Sequence, residues 1–309
     1  MKFPEGELLL GDCLDHMKDM EPASVDLVFG SPPYEDARTY GIGFNLKGQD
    51  WVDWMVEIFE ASLRISKGLV AFVVGHGKGT RQWSGVPALL CADLIRKGVC
   101  LRSPLWYKRN GIMGSGGSDW MRADLEWIIC GANEKVKLPW SDNVACGHPP
   151  KYGPGGNPSH RNRSGKRVNE LKKNSTAPKL NRPLNPGESY HKKRSSKGEY
   201  IPVYTPPLRS NPGNVIDCGT VGGGKMGSNI SYEGEAAFPE KLANFMIRSF
   251  CPRGGIVYDP FGGSGTTLAV AIKTRRKFIC SDIRESQIEL MKRRIKQART
   301  RRGFREPIQ

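Results

Sequence analysis

Short apolar runs alternate with amphipathic segments along most of the chain. Leu8–Leu10, Asp26–Phe29, Leu69–Val74, Leu101–Tyr107, Leu125–Cys130, Ile256–Tyr258 and Phe278–Cys280 have the length and composition of strands. Between them, Val52, Met55, Val56, Phe59 and Leu63 fall on one face of a helix that Asp50 caps and that ends near Gly68. Pro239 opens a second helix with Leu242, Phe245 and Met246 inward, and Ser286–Arg299 makes a third with Ile288, Met291 and Ile295 inward. Strands alternating with helices predict an α/β fold built on a largely parallel sheet.

The rhythm stops between His148 and Ser210, a stretch that holds ten of the 22 prolines and almost no apolar periodicity, so no further sheet is expected there. It carries 14 Lys and Arg against three glutamates, or +11, and Lys273–Gln309 carries 13 against four acids, or +9. Since the whole 309-residue chain is +16, everything else sums to −4. Charge gathered into two blocks is the footprint of a surface that tracks phosphates, and Tyr152, Tyr190, Tyr200 and Tyr204 interleave with it as stacking faces. A solvated, disordered insert has the same composition.

The hydrophobic share of 38% is ordinary for a globular protein. The eight cysteines are scattered without a C-x-x-C pair, which fits reduced thiols and a cytoplasmic setting. Cys146 and His148 form the one close Cys/His pair and lack the second pair that a structural zinc needs, so no metal is expected. The first ten residues lack a secretory apolar core, and no stretch is long enough to span a bilayer.

Two turns carry candidate chemistry. After Ile256–Tyr258 the chain reads Asp259-Pro260-Phe261-Gly262-Gly263-Ser264-Gly265-Thr266, a strand, a glycine turn and a helix start, where backbone can approach a ligand at a strand's carboxyl end. Asp282 closes the next strand 19 residues after Gly263, about where an acid meets ribose hydroxyls, which points to an adenosine-containing cofactor. Leu268 stands where a dinucleotide fingerprint needs its third glycine, and Asp259 repels phosphate but suits an ammonium or sulfonium group. Gly219–Lys225 spells G-x-x-x-x-G-K, yet Met226 follows where Ser or Thr must ligate magnesium, so ATP binding is not expected there.

The second turn, Ser31-Pro32-Pro33-Tyr34, ends the strand around Asp26–Phe29. Adjacent prolines fix φ and lack amide hydrogens, so their carbonyls stay outward beside an aromatic face. Such an array suits an exocyclic amino group whose hydrogens it accepts while the ring stacks on Tyr34.

Together the two turns resemble those of the S-adenosylmethionine-dependent amino-group DNA methyltransferases. Their order, catalytic turn first and cofactor turn last, is similar to the permuted β group of that family. The resemblance covers residue 8 to about 140 and 235 to 300. It implies a seven-stranded Rossmann-like sheet, with a catalytic half at 1–140, a target-recognition insertion at 141–235 and a cofactor-binding half at 236–309.

It further implies that Ser31, Pro32, Pro33 and Tyr34 are catalytic. Asp12, with Cys13 beside it, takes the adenine amino group, and Asp282 takes the ribose. Phe238 and Pro239 pack against the methionine end, which Asp259, Pro260, Phe261, Gly263, Ser264, Gly265 and Thr266 border. Pro104–Lys108 flanks the target-base pocket.

The implied activity is methyl transfer from S-adenosylmethionine to N4 of a cytosine flipped out of double-stranded DNA. A serine heading the turn is more often linked in the family to N4 of cytosine and an aspartate to N6 of adenine, so adenine is the alternative target. Methylation at a ring carbon needs a thiolate, typically after a proline, and the chain has no Pro-Cys dipeptide. From other classes, a non-catalytic nucleic-acid-binding protein with a vestigial cofactor fold stays open, and a nicotinamide oxidoreductase is opposed by Leu268. Further candidate partners are a second copy of the chain and a cognate restriction nuclease, with no membrane. His16, His76, His160 and His191 have no spacing that singles them out.

Overall fold

The structure is a computed structural model. It describes residues 1–35, 43–75, 83–110, 121, 123–134, 137–149, 209–220, 228–233 and 237–300, and the backbone of four short strands between 159 and 202. In chain order the first elements are β1 (Lys2–Phe3), β2 (Gly6–Leu10), α1 (Cys13–Asp19), β3 (Val25–Gly30), α2 (Gly48–Ile65), β4 (Ser66–Val74) and α3 (Val86–Arg96). Then come β5 (Cys100–Leu101), β6 (Leu105–Asn110), β7 (Leu125–Ala132), β8 (Ser159–Arg161), β9 (Arg167–Asn169), β10 (Lys192–Arg194), β11 (Tyr200–Pro202) and β12 (Val215–Thr220). A 3₁₀ turn at Asn229–Tyr232 leads into α4 (Glu240–Phe250), β13 (Ile256–Asp259), α5 (Thr266–Lys273), β14 (Lys277–Asp282) and α6 (Glu285–Thr300).

Ten of these strands form one sheet in the order β1-β2-β14-β13-β3-β4-β7-β6-β12, with β5 pairing to β7. The run β2-β14-β13-β3-β4 is parallel, β7 is antiparallel to both β4 and β6, and β12 is parallel to β6. The sheet is thus mixed and wider than the expected seven strands. The seven from β2 to β6 are there; two-residue β1 and β5 and the longer β12 extend it.

Both faces are covered, which is why its central strands read as continuous apolar runs. Leu27, Phe29, Leu69, Ala71 and Val73 pack with α4, α5 and α6 on one face. The alternate residues Val28, Val70, Phe72 and Val74 pack with α2 and α3 on the other. Where α4, α5 and α6 meet, the buried Glu240 carboxylate accepts from Lys273 at 2.6 Å and Arg294 at 2.8 Å, so three charges satisfy one another inside the core.

Three sequence expectations change. First, α2 starts at Gly48, not after Asp50, because the buried Glu35 carboxylate accepts the Gly48 N–H at 3.0 Å and caps the helix from 13 residues away. Asp50 lies in the first turn, where its charge suits the helix dipole. Second, the helix ends at Ile65, and Gly68 belongs to β4, where any side chain would strike the Asp26 carbonyl. Third, the run Leu101–Tyr107 is broken at Arg102–Pro104 into β5 and β6.

Within the stretch expected as insertion, β12 joins the main sheet, and Cys146–Pro212 forms a second compact unit. That unit contains the antiparallel pairs β8–β9 and β10–β11, so the proline-rich segment does hold short strands, outside the main sheet. Tyr152, Tyr190 and Tyr204 fall outside the described residues. Among the described residues no helix is long and apolar enough to cross a membrane, and no group of three or more His, Cys, Asp or Glu is placed to hold a metal.

Candidate active site

The two turns leave the sheet side by side, because β3 and β13 pair in parallel with Leu27 opposite Val257 and Val28 opposite Tyr258. They are so close that a side chain at Gly30 would collide with Oδ1 of Asp259. Between them opens a cavity of about 280 Å³. Of the sixteen residues singled out from sequence, fourteen line it; Pro239 and Gly265 do not. Those two act one step behind the wall, Pro239 as the residue preceding α4 and Gly265 as the residue preceding α5.

The glycine turn is held by two carboxylates, its own Asp259 and Asp282 at the end of the next strand. Phe261 N–H donates to Asp259 Oδ1, Gly263 N–H to Asp282 Oδ2 and Arg284 N–H to Asp282 Oδ1, each at 3.0 Å. Gly263 and Gly265 have φ of 50° and 75°, so side chains there would be strained. Burial pushes the Asp259 carboxyl up to about 7, despite the Phe261 N–H. Burial also raises Asp282, against the opposing Arg284 and Gly263 amides. Asp12 precedes α1 and accepts the Leu14 N–H at 2.7 Å. Beside it, burial pushes the Cys13 thiol up to about 12, so it stays a neutral wall residue.

A cofactor with a cationic sulfur end and hydrogen-bond acceptors fits this half. The Ser264 and Thr266 hydroxyls are buried without a partner among the described residues and border the cavity, and the Asp259 carboxyl lines it too.

The proline turn is held by distant side chains. Trp51, wholly buried on α2, donates Nε1–H to the Pro33 carbonyl at 2.9 Å. Ser31 Oγ lies 3.2 Å from the Val73 carbonyl and 3.3 Å from Tyr34 Oη, and Tyr34 Oη donates to Glu126 Oε2 at 3.0 Å. Glu126, from β7, is itself gripped by Arg109 from β6. The Tyr34 ring lies against Gly75, where a side chain would run into it. Burial, with Glu126 beside it, pushes the Tyr34 phenol well above its ordinary value.

Sequence reasoning missed the remaining wall. Phe44, Leu46 and Trp54 bring an apolar side to the cavity, with the Trp54 ring packed at a tilt against Phe44 at 5.3 Å and Phe261 at 5.8 Å. The available signal was a second tryptophan one helical turn after Trp51 on the edge of the α2 face. Ile283, Arg284 and Gln287, just past Asp282, also line the cavity.

An α/β sheet with a glycine turn and a Ser-Pro-Pro-Tyr turn opening on one cavity matches a family model. The model for DNA methylases of the N6/N4 type covers residues 25–293, and the chain belongs to that family. It is similar to the orphan methyltransferase M.BamHII of Bacillus amyloliquefaciens, 25% identical over 303 residues, covering 93% of this chain and 91% of that one. It is also similar to the DNA adenine methyltransferase YhdJ of Escherichia coli (strain K12), 24% identical over 293 residues, 93% of this chain and 82% of that one. Among solved structures, the cytosine-N4-specific PvuII DNA methyltransferase superposes with a TM-score of 0.64 at 18% identity, covering 97% of this chain and 93% of that one. That likeness is one of fold.

Proposed function

We propose that the protein transfers a methyl group to the exocyclic N4 amine of a cytosine flipped out of double-stranded DNA. S-adenosyl-L-methionine is the cofactor and supplies the methyl group on a cationic sulfur. Asp12 and Asp282 hold its adenosine end, and Asp259, Ser264 and Thr266 its methionine end. An ionised Asp259 favours that cation through its charge.

One observation carries the choice of reaction: the hydroxyl of Ser31 has its single hydrogen directed inward, to Val73 or Tyr34. What it offers the cavity is a lone pair. Beside it the Pro33 carbonyl is occupied by Trp51, and among the described residues the Pro32 carbonyl accepts no hydrogen bond. Two acceptors without a donor suit an amine that brings two hydrogens. Holding both hydrogens favours a pyramidal nitrogen and aims its lone pair out of the ring's conjugation, a positioning and electrostatic effect that needs no covalent enzyme intermediate. Tyr34 replaces the stacking a flipped base loses, and unpairing, about a few kcal/mol, is offset by phosphate contacts from the two basic blocks.

Digesting methylated DNA to nucleosides and identifying the modified one by mass spectrometry tests this. N4-methylcytosine is the expected product. N6-methyladenine, the outcome favoured by similarity to YhdJ, would move the target base and keep the reaction class. No incorporation of labelled methyl into DNA would leave a binding protein with an idle cofactor fold. A flat plot of log affinity against log salt would remove the basic blocks from DNA contact.

A further inference from the structure

Methylating an amine creates a positive nitrogen that must lose a proton, and the wall of the cavity holds a directed chain of hydroxyls. Tyr34 Oη lies 3.3 Å from Ser31 Oγ and donates to Glu126 Oε2 at 3.0 Å. Ser31 and Tyr34 are three residues apart, but Glu126 comes from 92 positions further on, at the start of β7. Its carboxylate is 5% exposed and held by Arg109, whose side chain is 32% exposed.

We propose that the proton shed by the amine leaves through Ser31 and Tyr34 to the carboxylate of Glu126. The inference rests on the amine-methylation function proposed above. As the nitrogen lone pair forms the C–N bond, the electron pair of the breaking C–S bond stays on sulfur. The N–H bond then breaks toward Ser31 Oγ, and its electron pair returns to nitrogen. The Ser31 proton passes to Tyr34 Oη, and the Tyr34 proton to Glu126 Oε2. An N-methylated ammonium on an electron-poor ring is a strong acid, so the Glu126 carboxylate, paired with Arg109, is a competent acceptor. The half-exposed Arg109 side of the pair is where Glu126 returns the proton to water.

The chain runs in the direction needed. Ser31 Oγ reaches both the Val73 carbonyl at 3.2 Å and Tyr34 Oη at 3.3 Å; when its hydrogen turns to Tyr34 and that of Tyr34 lies on Glu126, each oxygen has a lone pair facing the previous member. Burial keeps the phenol protonated, so Tyr34 passes protons on and does not hold a charge. Glu126 touches neither base nor cofactor in this account; it acts through Tyr34.

The test is single-turnover transfer of labelled methyl into duplex DNA by the whole chain and by Glu126→Gln, Glu126→Ala and Tyr34→Phe. Tyr34 and Arg109 use different oxygens of Glu126, so the Gln variant keeps an acceptor for one of them and cannot take a proton. It should lose about 10²-fold in rate with cofactor and DNA affinities within about twofold of wild type. Added formate should restore part of the rate to Glu126→Ala and none to Tyr34→Phe, whose chain is broken before the acceptor. A Gln variant at the wild-type rate overturns the proton path, as does a rate loss matched by lost DNA affinity, or a folded Ala variant indifferent to formate. Methyl transfer by the unaltered chain alongside such results leaves the proposed function standing; its absence on any base overturns both.

Discussion

The glycine turn and the proline turn stand side by side on neighbouring strands yet are built by opposite means. The glycine turn is braced from nearby in the chain: Asp259 receives the N–H two residues on, and Asp282, at the end of the next strand, receives those of Gly263 and Arg284. The proline turn has surrendered its backbone donors and borrows its rigidity from afar, from Trp51 on α2, Gly75 after β4 and Glu126 on β7. A ligand-binding loop can therefore be encoded locally, whereas a loop that must present unpaired acceptors needs other parts of the chain to brace it.

Breaking each turn in its own way should separate binding from turnover. Ser31→Ala should lose about 10²–10³-fold in turnover and keep DNA affinity, measured by filter binding beside methyl transfer. Gly75→Ala, which pushes a methyl into the Tyr34 ring, should lower kcat about tenfold or more without changing cofactor affinity by calorimetry. An unchanged kcat would remove Tyr34 from base positioning.

The glycine turn should answer to pH. Asp259 sits near 7 in the fold against about 3.8 unfolded, so its contribution to stability is full below 3.8 and lost as pH rises through 7. Cofactor binding runs the other way: affinity for a cation should fall by up to about tenfold per pH unit below 7 as Asp259 protonates. Asp259→Asn should flatten that profile and raise Tm above pH 7. The smallest effect on turnover is expected from Trp51→Phe, which removes the bond to the Pro33 carbonyl and part of the buried packing against Trp54, and should cost about 1–3 kcal/mol in denaturant melts.

This contrast also explains what was legible in the sequence. The glycine turn, Asp282 and the Ser-Pro-Pro-Tyr run were visible because their chemistry is contiguous, and fourteen of their residues and neighbours meet at one cavity. The strands around Leu27 and Val70 were visible because burial on both faces leaves an unbroken apolar run. Glu126, Arg109 and Trp51 were not, since lone charges in strands and a buried tryptophan on a helix look like surface and core until the sheet order brings Glu126 and Arg109 to Tyr34 and α2 brings Trp51 to the Pro33 carbonyl. Strand β12, Val215–Thr220, was hidden because it is short and falls within the 141–235 span expected as insertion, and the helix start at Gly48 by a cap that arrives from Glu35.

The contact between Gly30 and the Asp259 carboxylate sets a boundary for redesign. Exchanging Ser31 for another head group, to redirect the enzyme to a different amine, alters what the pocket shows its guest and the bonds to Val73 and Tyr34. Adding even one carbon a single position earlier would evict the acid from the neighbouring loop, so a transplanted turn must begin after residue 30 to leave that loop undisturbed.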